Sequence, residues 1–289
     1  MNLQIDNALE LVEARREGLR ADAALPESAH RFGDGLAGVV THADAARASK
    51  VGVLLLNAGL TRHTGPFRMH VDLARALGRA GFPVLRFDQS GLGDSAAPTR
   101  PNGERRHREI DAAMRLLSQQ TGAERFVLCG LCSGADDAFH IAAADPKVAG
   151  AILLDGVAYP TPGFWLRHAL PRLLDFGKVL RYLVSRRSGG PTLADFRDFP
   201  PRREAAHMLA GMVERDARLL FVFTGGAYHY FNHRAQLAAC LGRAATAPQV
   251  NLEFWREYDH TFFLRKHRRV LVSRVLAWMR AEFGPAEPR

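Results

Sequence analysis

This 289-residue sequence predicts an α/β fold, a mostly parallel central sheet with helices on both faces and a helical insertion. Three observations carry that prediction. Short continuous apolar runs recur, the mark of strands buried on both sides. Stretches with helical periodicity separate them. The alternation breaks once, over residues 156–217, and then resumes.

Residues 4–21 read as an amphipathic helix, with Ile5, Leu9 and Val12 near one side. Two weak strands at 28–33 and 36–41, split by Gly33-Asp34-Gly35, read as a hairpin at a sheet edge. The first buried strand is Val51–Leu56. A helix follows over 67–80, stopped by Gly81 and Pro83. The next strand is 84–87, then come a helix at 104–120, a strand at 126–129, a helix of small residues at 133–144 and a strand at 149–154. After the break the order is a strand at 219–223, a helix near 231–241, a strand near 250–256 and a helix at 267–282. The segment 156–217 is too long for a bare loop and reads as a helical lid over the strand ends. The expected organisation is an extension (1–24), a core (25–155 and 218–289) and the lid (156–217).

Composition narrows the functional classes. The chain is 47% hydrophobic and 24% charged, which excludes a disordered or collagen-like protein. Three cysteines imply no disulfide framework and fit a reducing compartment. The N-terminus has no uninterrupted apolar stretch of signal-peptide type, and no apolar run suits a membrane span, so a cytoplasmic location is expected. Formal charge is +9, from 35 arginines and 4 lysines against 30 acidic residues. The arginines are scattered apart from pairs such as Arg105-Arg106 and Arg186-Arg187, which argues against nucleic acid. An acidic partner remains compatible: a carrier protein, a CoA ester or a carboxylate substrate.

The chemistry points to Gly130-Leu131-Cys132-Ser133-Gly134, between the strand at 126–129 and the following helix. Small residues two before and two after a nucleophile let strand and helix approach while the nucleophile occupies a strained turn. Centring the pattern on Ser133 would put Leu131 at a small position, so Cys132 is the candidate nucleophile. The helix start behind it favours a thiolate. Cys129 and Cys132 also form a C-x-x-C, but Cys129 lies within an apolar strand, which weakens a redox reading. After the last strand, Asp259-His260-Thr261 offers His260 as general base.

Together with Leu55-Leu56-Asn57-Ala58-Gly59-Leu60, Gly65-Pro66-Phe67-Arg68, Leu85-Arg86-Phe87-Asp88 and Gly91-Leu92-Gly93-Asp94-Ser95, these motifs resemble the α/β-hydrolase superfamily over about residues 35–283. The likeness is greatest to the serine-aminopeptidase-like and exosortase-associated hydrolases, with Cys in place of Ser. Dienelactone hydrolases and polyhydroxyalkanoate synthases are similar in carrying Cys at the elbow. The resemblance implies an oxyanion hole built from the backbone N–H of Ser133 and a second donor in Asn57-Ala58-Gly59-Leu60, Leu60 ahead of Gly59. It also implies an acid after the strand at 219–223, where residues 224–233 contain no carboxylate. Asp155, after the strand at 149–154, and Asn232 are the two candidates to orient His260. Asp259 adjoins His260 but is badly placed to reach its ring.

In the lid, Phe164 and Trp165 offer apolar surface for an acyl group, and Arg167 and Arg172 could meet a carboxylate or phosphate. His229 and His233 have metal-ligand spacing without a third ligand, so no metal and no cofactor are expected. Three functions are compatible: a cysteine hydrolase of esters or thioesters, an acyltransferase using the same acyl-Cys132, and a non-catalytic binding protein.

Overall fold

The structure, a computed structural model, describes residues 25–99, 101–173 and 197–284. The helix expected at 4–21 lies outside them. Eight strands form one sheet: β1 (Glu27–Phe32), β2 (Leu36–Thr41), β3 (Val51–Leu56), β4 (Val84–Asp88), β5 (Arg125–Leu131), β6 (Val148–Leu154), β7 (Arg218–Thr224) and β8 (Val250–Trp255). Their spatial order is β1-β2-β4-β3-β5-β6-β7-β8. The hairpin β1–β2 joins β4 antiparallel, and every pairing from β4 to β8 is parallel.

The helices are α1 (Met69–Arg79), α2 (Asn102–Thr121), α3 (Ser133–Ala144), α4 (Pro162–Leu173), α5 (Arg202–Glu214), α6 (Ala235–Leu241) and α7 (Arg265–Phe283). Because strand side chains alternate, the central strands feed two separate cores. Leu54, Leu128, Leu153 and Phe221 point to one side, against α2, α3, α5 and α6. Val53, Val127, Ile152 and Leu220 point to the other, against α1 and α7. This double burial is why the strands read as unbroken apolar runs.

Within 156–217 the described residues form α4 and α5. Ala205, Leu209 and Met212 of α5 belong to the larger core, and the helix packs on α3. The helix expected near 231–241 is shorter: α6 begins at Ala235, and the stretch before it holds a 3-10 turn over Gly225–His229.

Candidate active site

The parallel strands end along one edge, and the loops that follow β3 to β8 converge there. At the end of β5 the chain turns through Cys132, whose φ of 57° and ψ of −122° are strained for a non-glycine residue. Its N–H donates to Leu154 O at 2.9 Å, and its carbonyl accepts from Ala135 N and Asp136 N at 2.9 and 3.1 Å. Two glycines make the turn sterically possible. A Cβ on Gly130 would stand 2.1 Å from the Gly134 backbone, and one on Gly134 would stand 2.4 Å from Asn57 O.

His260 reaches this turn from the loop after β8. A Cβ on Gly226 would lie 2.5 Å from that of His260, so the glycine makes room for the ring. His260 Nδ1 donates to Asp155 Oδ2 at 2.6 Å, and the ring lies near enough to Cys132 to lower its thiol. Asp155 is fully buried after β6, in the left-handed region at φ 48°. Its carboxylate accepts from Thr224 N at 2.6 Å and Thr224 Oγ1 at 2.7 Å. Burial lowers the affinity of His260 for a proton, but the bonds to Asp155 and Cys132 outweigh it and raise the ring to about 9. Burial raises the Cys132 thiol, yet the His260 bond, the Arg197 charge and the Ser133 N–H bring it below its ordinary value. Both shifts favour the thiolate and imidazolium forms of the pair.

A family model described as the alpha/beta hydrolase fold matches residues 52–270. The chain belongs to the α/β-hydrolase family. Solved structures share the fold at low identity. An esterase from Pyrococcus furiosus is 14% identical, with 92% of this chain and 93% of that one covered and a TM-score of 0.61. A monoglyceride lipase from Saccharomyces cerevisiae, a soluble variant with a substrate analogue, is 11% identical over 92% and 97%, TM-score 0.57. The thioesterase domain from the curacin biosynthetic pathway is 17% identical over 88% and 99%, TM-score 0.54. No curated protein sequence matches the chain.

In this hydrolase the loop after β3 is held from below. Asp88, at the end of β4, accepts from His63 N at 2.6 Å, His63 Nδ1 at 2.9 Å and Asn57 Nδ2 at 3.3 Å. Asn57 Oδ1 in turn accepts from Gln89 N at 2.8 Å. Asp94 N and Ser95 Oγ donate to Asp88 from the next turn. The Gly59 N–H donates to Ser133 Oγ at 2.8 Å and is thereby occupied. Leu60 projects beside it, 90% exposed. A cavity of about 510 Å³ opens here, lined by Gly59, Leu60, Ser133, Gln89, Arg106 and Asp137. Arg106 is paired with two carboxylates, Asp137 and Asp198, which together outweigh its single charge.

The hydrolase structure brings Cys132, His260 and Asp155 together and keeps other expected residues apart. Asn232 does not orient His260: its amide donates to Phe164 O and accepts from Arg167 Nε, both at 3.1 Å. Arg167 is engaged there rather than at a cavity mouth. Phe164 offers no acyl surface, because it is fully buried, stacked on His168 at 5.3 Å and edge-on to Trp165. Trp165 is exposed, and the Arg172 side chain lies outside the described residues. Cys129 is buried on the α1–α7 side, its thiol pushed up to about 12 by burial, so it forms no redox pair with Cys132. Among the described residues no His, Cys, Asp and Glu group could hold a metal ion, and no helix is long and apolar enough to cross a membrane.

Two participants escape a sequence reading. Thr224-Gly225-Gly226, notable for its missing carboxylate, supplies both Thr224 bonds to Asp155 and the space for His260. Arg197 sits in an arginine-rich segment where nothing local distinguishes it. The one available signal is its partner Asp136, a carboxylate on the elbow helix that demands a cation once buried.

Proposed function

We propose that the protein is a cysteine hydrolase that cleaves an ester or thioester through an acyl-Cys132 intermediate. One observation carries the reading: the cluster Cys132–His260–Asp155, in which His260 Nδ1 bonds Asp155 and the imidazole couples electrostatically to the sulfur, itself on a strained turn at a helix start. The names of the structural likenesses, an esterase, a thioesterase domain and a monoglyceride lipase, support the ester and thioester class. The elbow and loop motifs favour the serine-aminopeptidase-like and exosortase-associated branch, with Cys replacing Ser.

The thiolate attacks the carbonyl carbon, a C–S bond forms, and the carbonyl electron pair moves onto oxygen. The oxyanion accepts hydrogen bonds from the N–H groups of Ser133 and Leu60, each worth about 3 kcal/mol in the transition state. Leu60 is favoured because the Gly59 N–H already has a partner. Collapse breaks the bond to the leaving alkoxide or thiolate, which takes the proton from His260 Nε2. Water then gives a proton to Nε2 as it attacks the acyl-cysteine, releasing the acid and restoring the ion pair. Asp155 holds Nδ1–H throughout, which keeps Nε2 facing the sulfur. The cavity beside Leu60 receives the group that leads away from the oxyanion side.

The test is mass spectrometry of the intact protein after incubation with activated acyl esters and thioesters. An adduct on Cys132 that vanishes in Cys132→Ala is expected. Absence of any adduct, with no iodoacetamide labelling of Cys132, would overturn the reading in favour of a binding protein. Adding alcohol or amine acceptors separates hydrolysis from acyl transfer, since a transferase shifts product from acid to ester or amide.

A further inference from the structure

The insertion returns to the core at Arg197, one of the more heavily engaged side chains near the site. Its Nε and one terminal nitrogen donate to the two Asp136 oxygens at 2.6 and 2.8 Å. The same terminal nitrogen donates to the backbone carbonyl of Asp155 at 2.9 Å. The guanidinium lies over the rings of Phe199 (4.6 Å) and Tyr230 (5.6 Å), and its side chain is nearly buried. Tyr230 Oη donates to that Asp155 carbonyl too, at 2.7 Å.

These partners belong to different parts of the machinery. Asp136 lies four residues after Cys132 on α3, and its N–H bonds the Cys132 carbonyl. Asp155 is the acid behind His260, and its backbone is in a strained left-handed conformation. One planar cation thus joins the nucleophile's helix to the acid's loop.

We propose that Arg197 is a positioning residue of this active site, fixing the elbow helix against the Asp155 loop and presenting a permanent positive charge that favours the Cys132 thiolate. The proposal rests on the cysteine-hydrolase reading above. A bidentate guanidinium suits the task better than an ammonium, because its fork fixes direction as well as charge. Burial, with Asp137 and Asp198 nearby, raises the Asp136 carboxyl to about 6, and the bonds and charge of Arg197 offset part of that rise. The groups that pull the Cys132 thiol down are His260 from the loop after β8, Arg197 from the insertion and the Ser133 N–H from α3. Asp136, Asp155 and His229 complete the charged surroundings of that cluster. His229 is held below its ordinary value, by burial first and then by the nearby Arg197 and His260 charges, so it adds no competing cation near neutral pH.

The experiment is the rate of iodoacetamide alkylation of Cys132 against pH, read by peptide mass spectrometry, with no substrate involved. In Arg197→Met the rate near neutral pH is expected to fall about tenfold and to converge with the natural protein at alkaline pH, because only the thiolate fraction has changed. Arg197→Lys should recover most of the loss. Asp136→Asn, which leaves the guanidinium charge in place, should leave the alkylation midpoint unchanged or lower it, even if the fold loses stability. A residue that only braced the fold would move both variants the same way. An unaltered profile in folded Arg197→Met, or an equal upward displacement in Arg197→Lys and Asp136→Asn, overturns the proposal. His260→Gln is the separate check on the parent reading. If removing the imidazole leaves the midpoint where it was, the Cys132–His260 pair fails, whatever Arg197 does.

Discussion

Replacing Asp155 by Asn exchanges one buried oxygen for an NH2 group without changing size. In the natural protein the carboxylate accepts three short bonds, from Thr224 N, Thr224 Oγ1 and His260 Nδ1. The amide oxygen can keep the Thr224 N–H, which leaves the NH2 facing the hydroxyl and the imidazole. The hydroxyl can rotate to accept. The imidazole can comply only by moving its proton to Nε2, the wrong nitrogen for taking a proton from sulfur or water. The lost charge matters as well. His260 stands at about 9 against an ordinary 6.5, a difference worth about 3 kcal/mol for a fully buried ring. The side chain is 35% exposed, and solvent screening reduces that to about 1.5–2 kcal/mol. Asp155 and Cys132 share that shift, so losing the Asp155 charge lowers the rate by at most about tenfold to thirtyfold, and the tautomer change extends the loss toward about 10³–10⁴. The assay is kcat/KM with an activated ester at neutral pH, beside a thermal melt. A folded Asp155→Asn protein within about threefold of natural activity would refute the orienting role.

Four further outcomes follow from other contacts. Gly134→Ala drives a Cβ to within 2.4 Å of Asn57 O and 3.0 Å of Leu56 O, backbone atoms that cannot swing aside, so urea unfolding should show a loss of about 3 kcal/mol or more. Gly211→Ala, in α5 with nothing within 4 Å, should instead gain up to about 1 kcal/mol by helix propensity. Asp88→Ala strips the loop after β3 of its His63 and Asn57 anchors; a cost of about 3–5 kcal/mol in stability and a fall in kcat larger than any rise in KM are expected. In Cys132→Ala the His260 ring loses the sulfur but keeps its bond to Asp155, so its folded value is expected to stay above the unfolded 6.5. A raised base stabilises fully below the unfolded value and loses that contribution as pH rises through the folded one, so Tm should be higher at about pH 6 than at about pH 8.5, and the difference should vanish when Asp155→Asn is added.

Burial on both faces made the central strands legible, because a strand sandwiched between two helical layers has no polar side to disguise it. The elbow was legible for a different reason: the steric demand at Gly130 and Gly134 is local and leaves its mark on the sequence itself. Asp155 could not be separated from Asn232 by sequence, since the choice depends on which strand lies beside β6. Pairing with β7 sets Asp155 N on Val222 O and so brings the carboxylate to Thr224, while Asn232 is drawn off to α4. Phe164 reads as an exposed lid aromatic until the packing of His168 and Trp165 around it is known. Arg197 left no trace of its own beyond the carboxylate at Asp136, because a salt bridge spanning 61 residues has no periodicity to read.

The contacts of Arg197 also bear on how this protein could be re-engineered. A cover that merely rested on the strand ends could be trimmed, or exchanged for that of another hydrolase, with the chemistry left behind. Here the segment that returns to β7 carries the counter-charge of a carboxylate that is only 1% exposed. Excising it would strand Asp136 inside the protein, a defect of about 3–5 kcal/mol. A transplant that alters substrate choice would therefore have to retain the stretch from Arg197 through α5, and the natural cut points lie before Arg197 rather than at the start of β7.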